Sequence, residues 1–458
     1  MYIQQIYTNC LAQAAYYIES EGEAVIIDPL RDIDAYLKLA ESRGAKIKYV
    51  FETHFHADFV SGHLELARKT GAVIVFGPTA KPGYEAMIAK DHEKIKLGNI
   101  QLEVLHTPGH TIESSCLLLH DEQGKAQSIF TGDTLFVGDV GRPDLMSGNL
   151  SKEELAAMLF DSLHSKIKTL DDAVLVYPGH GAGSACGKNI GKETTSTIGE
   201  QKQNNYALKE NDKDKFIQAV TSGLPAPPPY FFKDAVINIS GYDSLELSLK
   251  ESMKALSVEE FKAELEKGAT VLDTRTADLF AEEFIPGSIN IGLNGDYAVW
   301  AGTIIHFNSP LVLVCEKGKE QESVIRLARI GYDNIKGHLA GGIETWVYAG
   351  NKSDQVTCLE LNELKTFLLS KEYVLIDVRR EDEYSAAKIK DAVNIPLHIL
   401  STQLNTLDKN KKYLIHCAGG YRSMIAVSML KANGINEVYN VVGGISKVKN
   451  EAPELLSN

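Results

Sequence analysis

Thr53-His-Phe-His-Ala-Asp-Phe-Val-Ser-Gly-His63 follows an apolar, β-prone run from Ile47 to Phe51 and precedes a helical segment, Leu64 to Lys69. The pattern predicts a loop at the C-terminal end of a strand. His54, His56 and Asp58 alternate along that loop, so their side chains can converge on one point. Imidazole with carboxylate is the usual donor set for zinc or non-haem iron. Three more segments repeat the arrangement: Thr107-Pro-Gly-His-Thr111, Phe130-Thr-Gly-Asp-Thr134 and Tyr177-Pro-Gly-His-Gly181. Each ends a strand-like run beside glycine or proline, and they contribute His110, Asp133 and His180.

The order HxHxD, His, Asp, His resembles the metallo-β-lactamase superfamily over residues 1–240. The resemblance implies an αββα sandwich with its ligands on loops. Two-metal hydrolases of that superfamily usually carry a histidine directly after the motif aspartate. Here that position is Phe59, which removes a nitrogen donor. In this the chain resembles the mononuclear iron branch, the persulfide dioxygenases. That resemblance implies one Fe(II) per chain held by His54, His110 and Asp133, a two-histidine, one-carboxylate set that leaves positions open for O₂ and substrate. His56, Asp58 and His180 then stand behind the ligands and orient them or their protons. Arg142 is the only cation of the turn-rich loop Gly138–Asp144. It reads as a surface salt bridge or, by the family's matching arginine, as the holder of an anionic thiol carrier. Tyr177 can donate a hydrogen bond into the site. Cys186 lies in a glycine-rich stretch beside His180 and reads either as a small loop residue or as a thiol that relays persulfide sulfur.

The bulk properties set limits. A chain of 458 residues suggests three domains at a prior of roughly 150 residues each. A formal net charge of −14 argues against nucleic acid and anionic membrane as partners. No run approaches the ~20 apolar residues of a membrane span. No secretory signal is visible at Met1-Tyr-Ile-Gln-Gln, and six cysteines do not make a disulfide framework. A reducing cytoplasm is the expected location. Within 1–240, Asp32–Ser42, Lys152–Leu163 and Gln203–Asn211 carry helical spacing, and residues 2–30 read as two strands. Leu224-Pro-Ala-Pro-Pro-Pro-Tyr-Phe-Phe232 reads as a stiff polyproline closing segment, followed by a linker over 233–254.

The remainder is a duplication. Val271-Leu-Asp-Thr-Arg275 corresponds to Leu375-Ile-Asp-Val-Arg379, and Ala340-Gly-Gly-Ile343 to Val442-Gly-Gly-Ile445. A period of about one hundred residues marks a repeated domain and not a solenoid. Both copies, 255–352 and 357–455, resemble the rhodanese (sulfurtransferase) domain, a small α/β fold with a parallel sheet. In the second copy, Tyr413-Leu-Ile-His-Cys417 runs into Ala-Gly-Gly-Tyr-Arg422 and then a helix from Ser423. Backbone N–H groups around Gly419 and Gly420, together with the helix N-terminus at Ser423, favour a thiolate or persulfide anion on Cys417. Arg422 adds positive charge for an anionic sulfur substrate. In this family a six-residue loop, here Cys417 to Arg422, goes with sulfur transfer. The first copy reads Cys315-Glu-Lys-Gly-Lys-Glu320, a shorter, acidic loop. An ungapped match on Gly331 and Gly434 sets Val314, not Cys315, opposite Cys417, and the copy reads as a non-catalytic spacer.

Domain order therefore resembles that of bacterial persulfide dioxygenase–rhodanese fusions: an α/β multidomain protein with a metallo-β-lactamase sandwich and two rhodanese-like domains. The resemblance implies oxidation of a low-molecular-weight persulfide, of glutathione, coenzyme A or a similar thiol, by O₂ to sulfite and thiol. Sulfur transfer at Cys417 then makes thiosulfate, and the family suggests a homo-oligomer. Two rivals stand: a zinc-dependent thioester hydrolase of the glyoxalase II kind, and a sulfur carrier whose metal is structural.

Overall fold

The computed structural model describes residues 1–145 and 150–457, in two compact units, 1–247 with 328–331 and 248–327 with 332–458. The first unit holds two six-stranded sheets. One follows chain order: Tyr2–Thr8, Gln13–Ser20, Glu23–Ile27, Lys46–Glu52, Val73–Phe76 and Met87–Ile88. The other runs Ser196–Thr197, Leu175–Pro178, Ala126–Gly132, Ser115–His120, Ile100–His106 and Lys94–Leu97. Alternating residues on the facing sides, among them Tyr16, Val25, Phe51, Val104, Leu117 and Phe130, make one dry core. Each such side chain contributes ~1.5–3 kcal/mol by leaving water. The opposite faces are covered by helices. Asp34–Ser42 and His63–Thr70 pack on the first sheet, and Lys152–Ser162 and Lys213–Thr221 on the second. This is the expected αββα sandwich.

Three local expectations are corrected. Residues 2–30 form three strands, because the 3-10 turn Asn9–Leu11 ends with Ala12 in the left-handed region and reverses the chain early. The helix expected over 203–211 is broken at Asn205, whose extended backbone stops one helix and whose side chain accepts from Ala207 N to start the next, Tyr206–Lys209. The linker expected over 233–254 carries two helices, Phe231–Ser240 and Leu245–Ser252. No described helix is long and apolar enough to cross a membrane.

The second unit holds two five-stranded parallel sheets of identical topology. Their central strands, Leu311–Val314 and Lys412–His416, read as apolar runs because both faces are covered. Register fixes how the copies correspond. Asp273 pairs with Val314 as Asp377 pairs with His416. Val314 therefore matches His416, and Cys315, not Val314, lies opposite Cys417. Both thiols also donate to a serine of the following helix, Cys315 to Ser323 and Cys417 to Ser423. The first copy's cysteine-to-serine loop is longer, not shorter. The ungapped match failed because its helix, Glu320–Ala328, is shorter than Tyr421–Ala432 and hides the insertion.

Candidate functional site

Every residue of the metal motif follows the C-terminal end of a strand in the first unit. His54 follows Lys46–Glu52, His110 follows Ile100–His106, Asp133 follows Ala126–Gly132 and His180 follows Leu175–Pro178. All four are buried. Hydrogen bonds at Nδ1 set the histidine tautomers. The Thr53 hydroxyl donates to Asp28 Oδ2 at 2.8 Å and accepts from His54 Nδ1 at 3.0 Å. His110 Nδ1 donates to the Arg142 carbonyl at 2.8 Å, and His180 Nδ1 to the Ala12 carbonyl at 3.2 Å.

The Nε2 lone pairs are left to face one carboxylate. His54 and His110 Nε2 lie 3.9 and 3.5 Å from Asp133 Oδ2, and His180 Nε2 lies 3.5 Å from Asp133 Oδ1. Neither Asp133 oxygen has a hydrogen-bond partner among the described residues. Acceptors facing acceptors in a dry site are unfavourable unless a cation joins them. One donor atom each from His54, His110 and Asp133 lies within 4.8 Å of the others, as do those of Asp58, His180 and Cys186. The first set fits a divalent metal ion of the borderline class. Burial, and then His56, His110 and His180, push the His54 imidazole well below its ordinary value, so it offers a lone pair. Burial, then Asp58 and Asp133, push the Cys186 thiol well above its own.

The second site is the loop at Cys417. Gly420 N donates to Cys417 Sγ at 3.1 Å, and the thiol donates to Ser423 Oγ at 3.6 Å. Ser423 in turn donates to Asn440 Oδ1 at 2.7 Å. Behind the loop, Ile445 N and Ser446 N donate to the Cys417 and Ala418 carbonyls. Gly444 is required there, since a Cβ would lie 2.2 Å from the Cys417 carbonyl oxygen.

Residues 257–349 and 360–451 match the Rhodanese-like domain family, and residues 8–86 match the Metallo-beta-lactamase superfamily. The crystal structure of a metallo-beta-lactamase from Staphylococcus aureus is 35% identical, covers 74% of this chain and 99% of its own, and superposes with a TM-score of 0.66. The chain belongs to the metallo-beta-lactamase superfamily. Two rhodanese-like domains follow that domain. Hydroxyacylglutathione hydrolase of Polaromonas is 34% identical over 39% of this chain, which spans 66% of that enzyme's length. The chain spans 60% and 65% of similar hydrolases from Schizosaccharomyces pombe and Arabidopsis thaliana. The mitochondrial persulfide dioxygenase of Mus musculus is 29% identical over 45% of this chain and 74% of its own.

Within the metallo-beta-lactamase domain, several candidates sit differently from their sequence reading. Arg142 is not a surface residue. It is fully buried, pairs bidentately with Asp144 at 2.7 and 2.8 Å, and donates to the Ala185 and Pro225 carbonyls. Its charge is thus neutralised within the fold, and its backbone carbonyl is what reaches the site, through His110. Tyr177 stacks on Phe130, with ring centroids 5.1 Å apart, and meets Tyr16 edge-on in the inter-sheet core. His56 faces away from Asp133. Its Nε2 lies 3.0 Å from Asp28 Oδ1 and 3.4 Å from Glu52, and Phe59 stacks on its ring. Burial alone would lower the His56 imidazole, but these two carboxylates hold it well above its ordinary value. Cys186 joins Asp58 and His180, on the other side of Asp133 from His54.

In the second rhodanese-like domain, Arg422 is bound to Glu383 at 2.6 and 2.8 Å instead of standing free. The Arg422 hydrogen bonds hold the Glu383 carboxyl down at about 2. A carboxyl lowered on folding stabilises fully above its ordinary value of 4.5 and loses that contribution as pH falls toward about 2. Glu383→Gln is expected to lower stability at neutral pH, with mutant and parent converging as the solution is acidified through that window. Urea unfolding at stepped pH measures it.

Asn238 was invisible to sequence reasoning. It lies on the helix that replaces the expected linker, and it is buried. Its amide donates to the His56 and Phe59 carbonyls at 2.8 and 2.7 Å, and its oxygen accepts from Ser61 N at 2.9 Å. One side chain thus satisfies three backbone groups of the metal loop. Asn238→Ala strands all three, at about 1 kcal/mol each, so a loss of about 3 kcal/mol is expected in urea unfolding. Asp28 and Glu52 were missed too. Asp28, with positive φ, accepts from Thr53 N at 2.8 Å and so ties the start of the motif to the neighbouring strand.

Proposed function

We propose that the chain is a non-haem Fe(II) persulfide dioxygenase coupled to a sulfurtransferase. The observation that carries this reading is the set of three convergent acceptor atoms, His54 Nε2, His110 Nε2 and Asp133 Oδ2, with the other ring nitrogen of each histidine already bonded. Two imidazoles and one carboxylate on one side leave three coordination positions for further ligands, and this donor set is the one non-haem iron oxygenases use. Bound Fe(II) would supply activation of O₂ beside a persulfide sulfur. The chain's own part is to hold the two ligand histidines in one tautomer, through Thr53 and the Arg142 carbonyl, to orient His180 behind them through the Ala12 carbonyl, and to keep water out with Phe59 and Phe136, both fully buried.

The overall reaction is RSS⁻ + O₂ + H₂O → RSH + HSO₃⁻, with R a glutathione- or coenzyme A-like carrier. At the second site Cys417 takes a sulfane sulfur from a persulfide and passes it to sulfite, which leaves as thiosulfate while the thiolate returns. The Gly420 N–H stabilises the Cys417 thiolate at Sγ. Tethering keeps sulfite made at one site near its acceptor.

A thioester hydrolase is the second reading. Asp58, His180 and Cys186 lie beside Asp133 Oδ1, so a second cation is geometrically accessible there, and hydroxyacylglutathione hydrolases are among the relatives. Anaerobically purified protein decides between them. About one iron per chain with persulfide-dependent O₂ uptake supports the dioxygenase. Zinc, thioester hydrolysis and no O₂ uptake would overturn it.

A further inference from the structure

The first rhodanese-like repeat has an acidic loop, and burial, with Asp273 and Glu320 nearby, pushes its Cys315 thiol up to about 11. Its contacts with the second repeat, inside the same compact unit, give it a different use. The helix Tyr421–Ala432, whose N-terminus supports Cys417, is buried at every residue from Ser423 to Leu430. It is covered on one side by its own sheet and on the other by the first repeat. Three bonds hold it there. Tyr421 Oη donates to the Gly292 carbonyl at 2.7 Å, Asn290 N donates to Ser428 Oγ at 3.0 Å, and Lys431 Nζ lies 2.9 Å from Asp354.

The Tyr421 contact is the one that bears on chemistry. Tyr421 directly follows Gly420, the residue whose N–H points at Cys417 Sγ. Gly419 and Gly420 have no neighbour within 4 Å of where a Cβ would sit, and Gly420 has a φ of 119°. Two adjacent, uncrowded glycines make a loop with high intrinsic freedom. What pins its end is the ring of Tyr421, which lies flush on Gly295, so that a Cβ there would fall 2.5 Å from the ring. The 292–295 turn is itself held by Arg326, which donates to the Leu293 and Gly295 carbonyls at 2.6 and 3.0 Å and lies over the Tyr297 ring. Arg326 belongs to the helix that follows the Cys315 loop.

We propose that the first repeat is a positioning module for the second. Its Arg326-braced 292–295 turn grips Tyr421 and so fixes the Gly420 N–H against Cys417 Sγ. Arg326, Gly295 and Tyr421 are positioning residues that act through the loop and touch no substrate. The inference rests on the reading of Cys417 as the sulfur-accepting thiolate.

The test uses the full chain and two probes read by mass spectrometry on the Cys417 peptide: alkylation by iodoacetamide, and sulfur uptake from thiosulfate. Arg326→Leu removes the brace without touching the second repeat, and Gly295→Ala displaces the ring. Misplacement of a reacting group by about 1 Å costs up to 10²-fold, so both rates are expected to fall roughly 10- to 100-fold. Arg326→Lys, which restores one donor of the fork, is expected to recover part of the loss, and Tyr421→Phe to fall between parent and Gly295→Ala. Rescue by lysine at an unchanged melting temperature separates positioning from loss of fold. Parent-like alkylation and uptake in folded Arg326→Leu and Gly295→Ala would overturn the proposal. If the parent takes up no sulfur while alkylation still responds to these variants, the positioning stands and the sulfurtransferase reading of Cys417 fails.

Discussion

Asp133→Asn is expected to abolish stoichiometric metal binding and, with it, persulfide-dependent O₂ uptake. The loss should exceed the roughly 10- to 100-fold that follows removal of a group supporting a ligand, such as Thr53 behind His54. The reason is the position of Asp133. One oxygen faces His54 and His110 Nε2 and the other faces His180 Nε2, so this one carboxylate is shared by all three imidazoles. The amide keeps shape and volume but brings no charge and turns one ligand atom into a donor. Stability should move the opposite way in metal-free protein. Asp58 and Asp133 are both buried, and burial first, with the neighbouring Asp133 charge adding to it, pushes the Asp58 carboxyl up. Replacing one with an amide relieves that repulsion. Added Fe(II) should raise the melting temperature of the parent and leave Asp133→Asn unchanged. Metal content by elemental analysis, O₂ electrode traces and melting curves with and without metal check the three parts. Full metal occupancy and turnover in Asp133→Asn would remove Asp133 from the ligand set.

Cys417→Ser is expected to stop sulfur transfer while sparing O₂ uptake. Loss of a nucleophile is felt on the order of 10³-fold or more. A serine hydroxyl in the same cradle keeps the Gly420 and Ser423 contacts, yet it has no accessible anion and cannot carry a terminal sulfur. With a persulfide substrate, sulfite should accumulate and thiosulfate should fall. Cys315→Ser is the matched control. Cys315 occupies the topologically equivalent position, but its loop is longer and Glu320 lies nearby, so product distribution should not change. Quantifying sulfite and thiosulfate by thiol-trapping chromatography distinguishes the two variants. Thiosulfate production surviving in Cys417→Ser would move sulfur transfer elsewhere.

Much of the site was readable because its chemistry sits on short motifs. His54, His110, Asp133 and His180 each follow a strand and a turn residue, and strand ends are where a sandwich of this kind gathers its loops. Cys417 was readable for a similar reason: strand, glycines, then helix. The supporting groups were not. Asn238 lies in a stretch that periodicity left as a linker, and nothing local marks a helix residue that will satisfy three carbonyl and amide groups of a loop far away in sequence. Arg142 was misread for the reverse reason. A lone arginine among turn residues looks exposed, and only packing revealed its pairing with Asp144 and the Pro225 carbonyl.

The sequence by itself determined the duplication and the residue types that can bind metal or carry sulfur, because these depend on residue identity and spacing along one segment, while the αββα class and the domain order followed from its resemblance to known families. The tertiary structure alone decided which nitrogen of each histidine is free, that Cys315 and not Val314 corresponds to Cys417, that the charge of Arg422 is shared with Glu383, and that Tyr421 is gripped by the other repeat. Those depend on hydrogen-bond partners and strand register contributed by distant parts of the chain, and a partner is defined only when folding brings the two segments together.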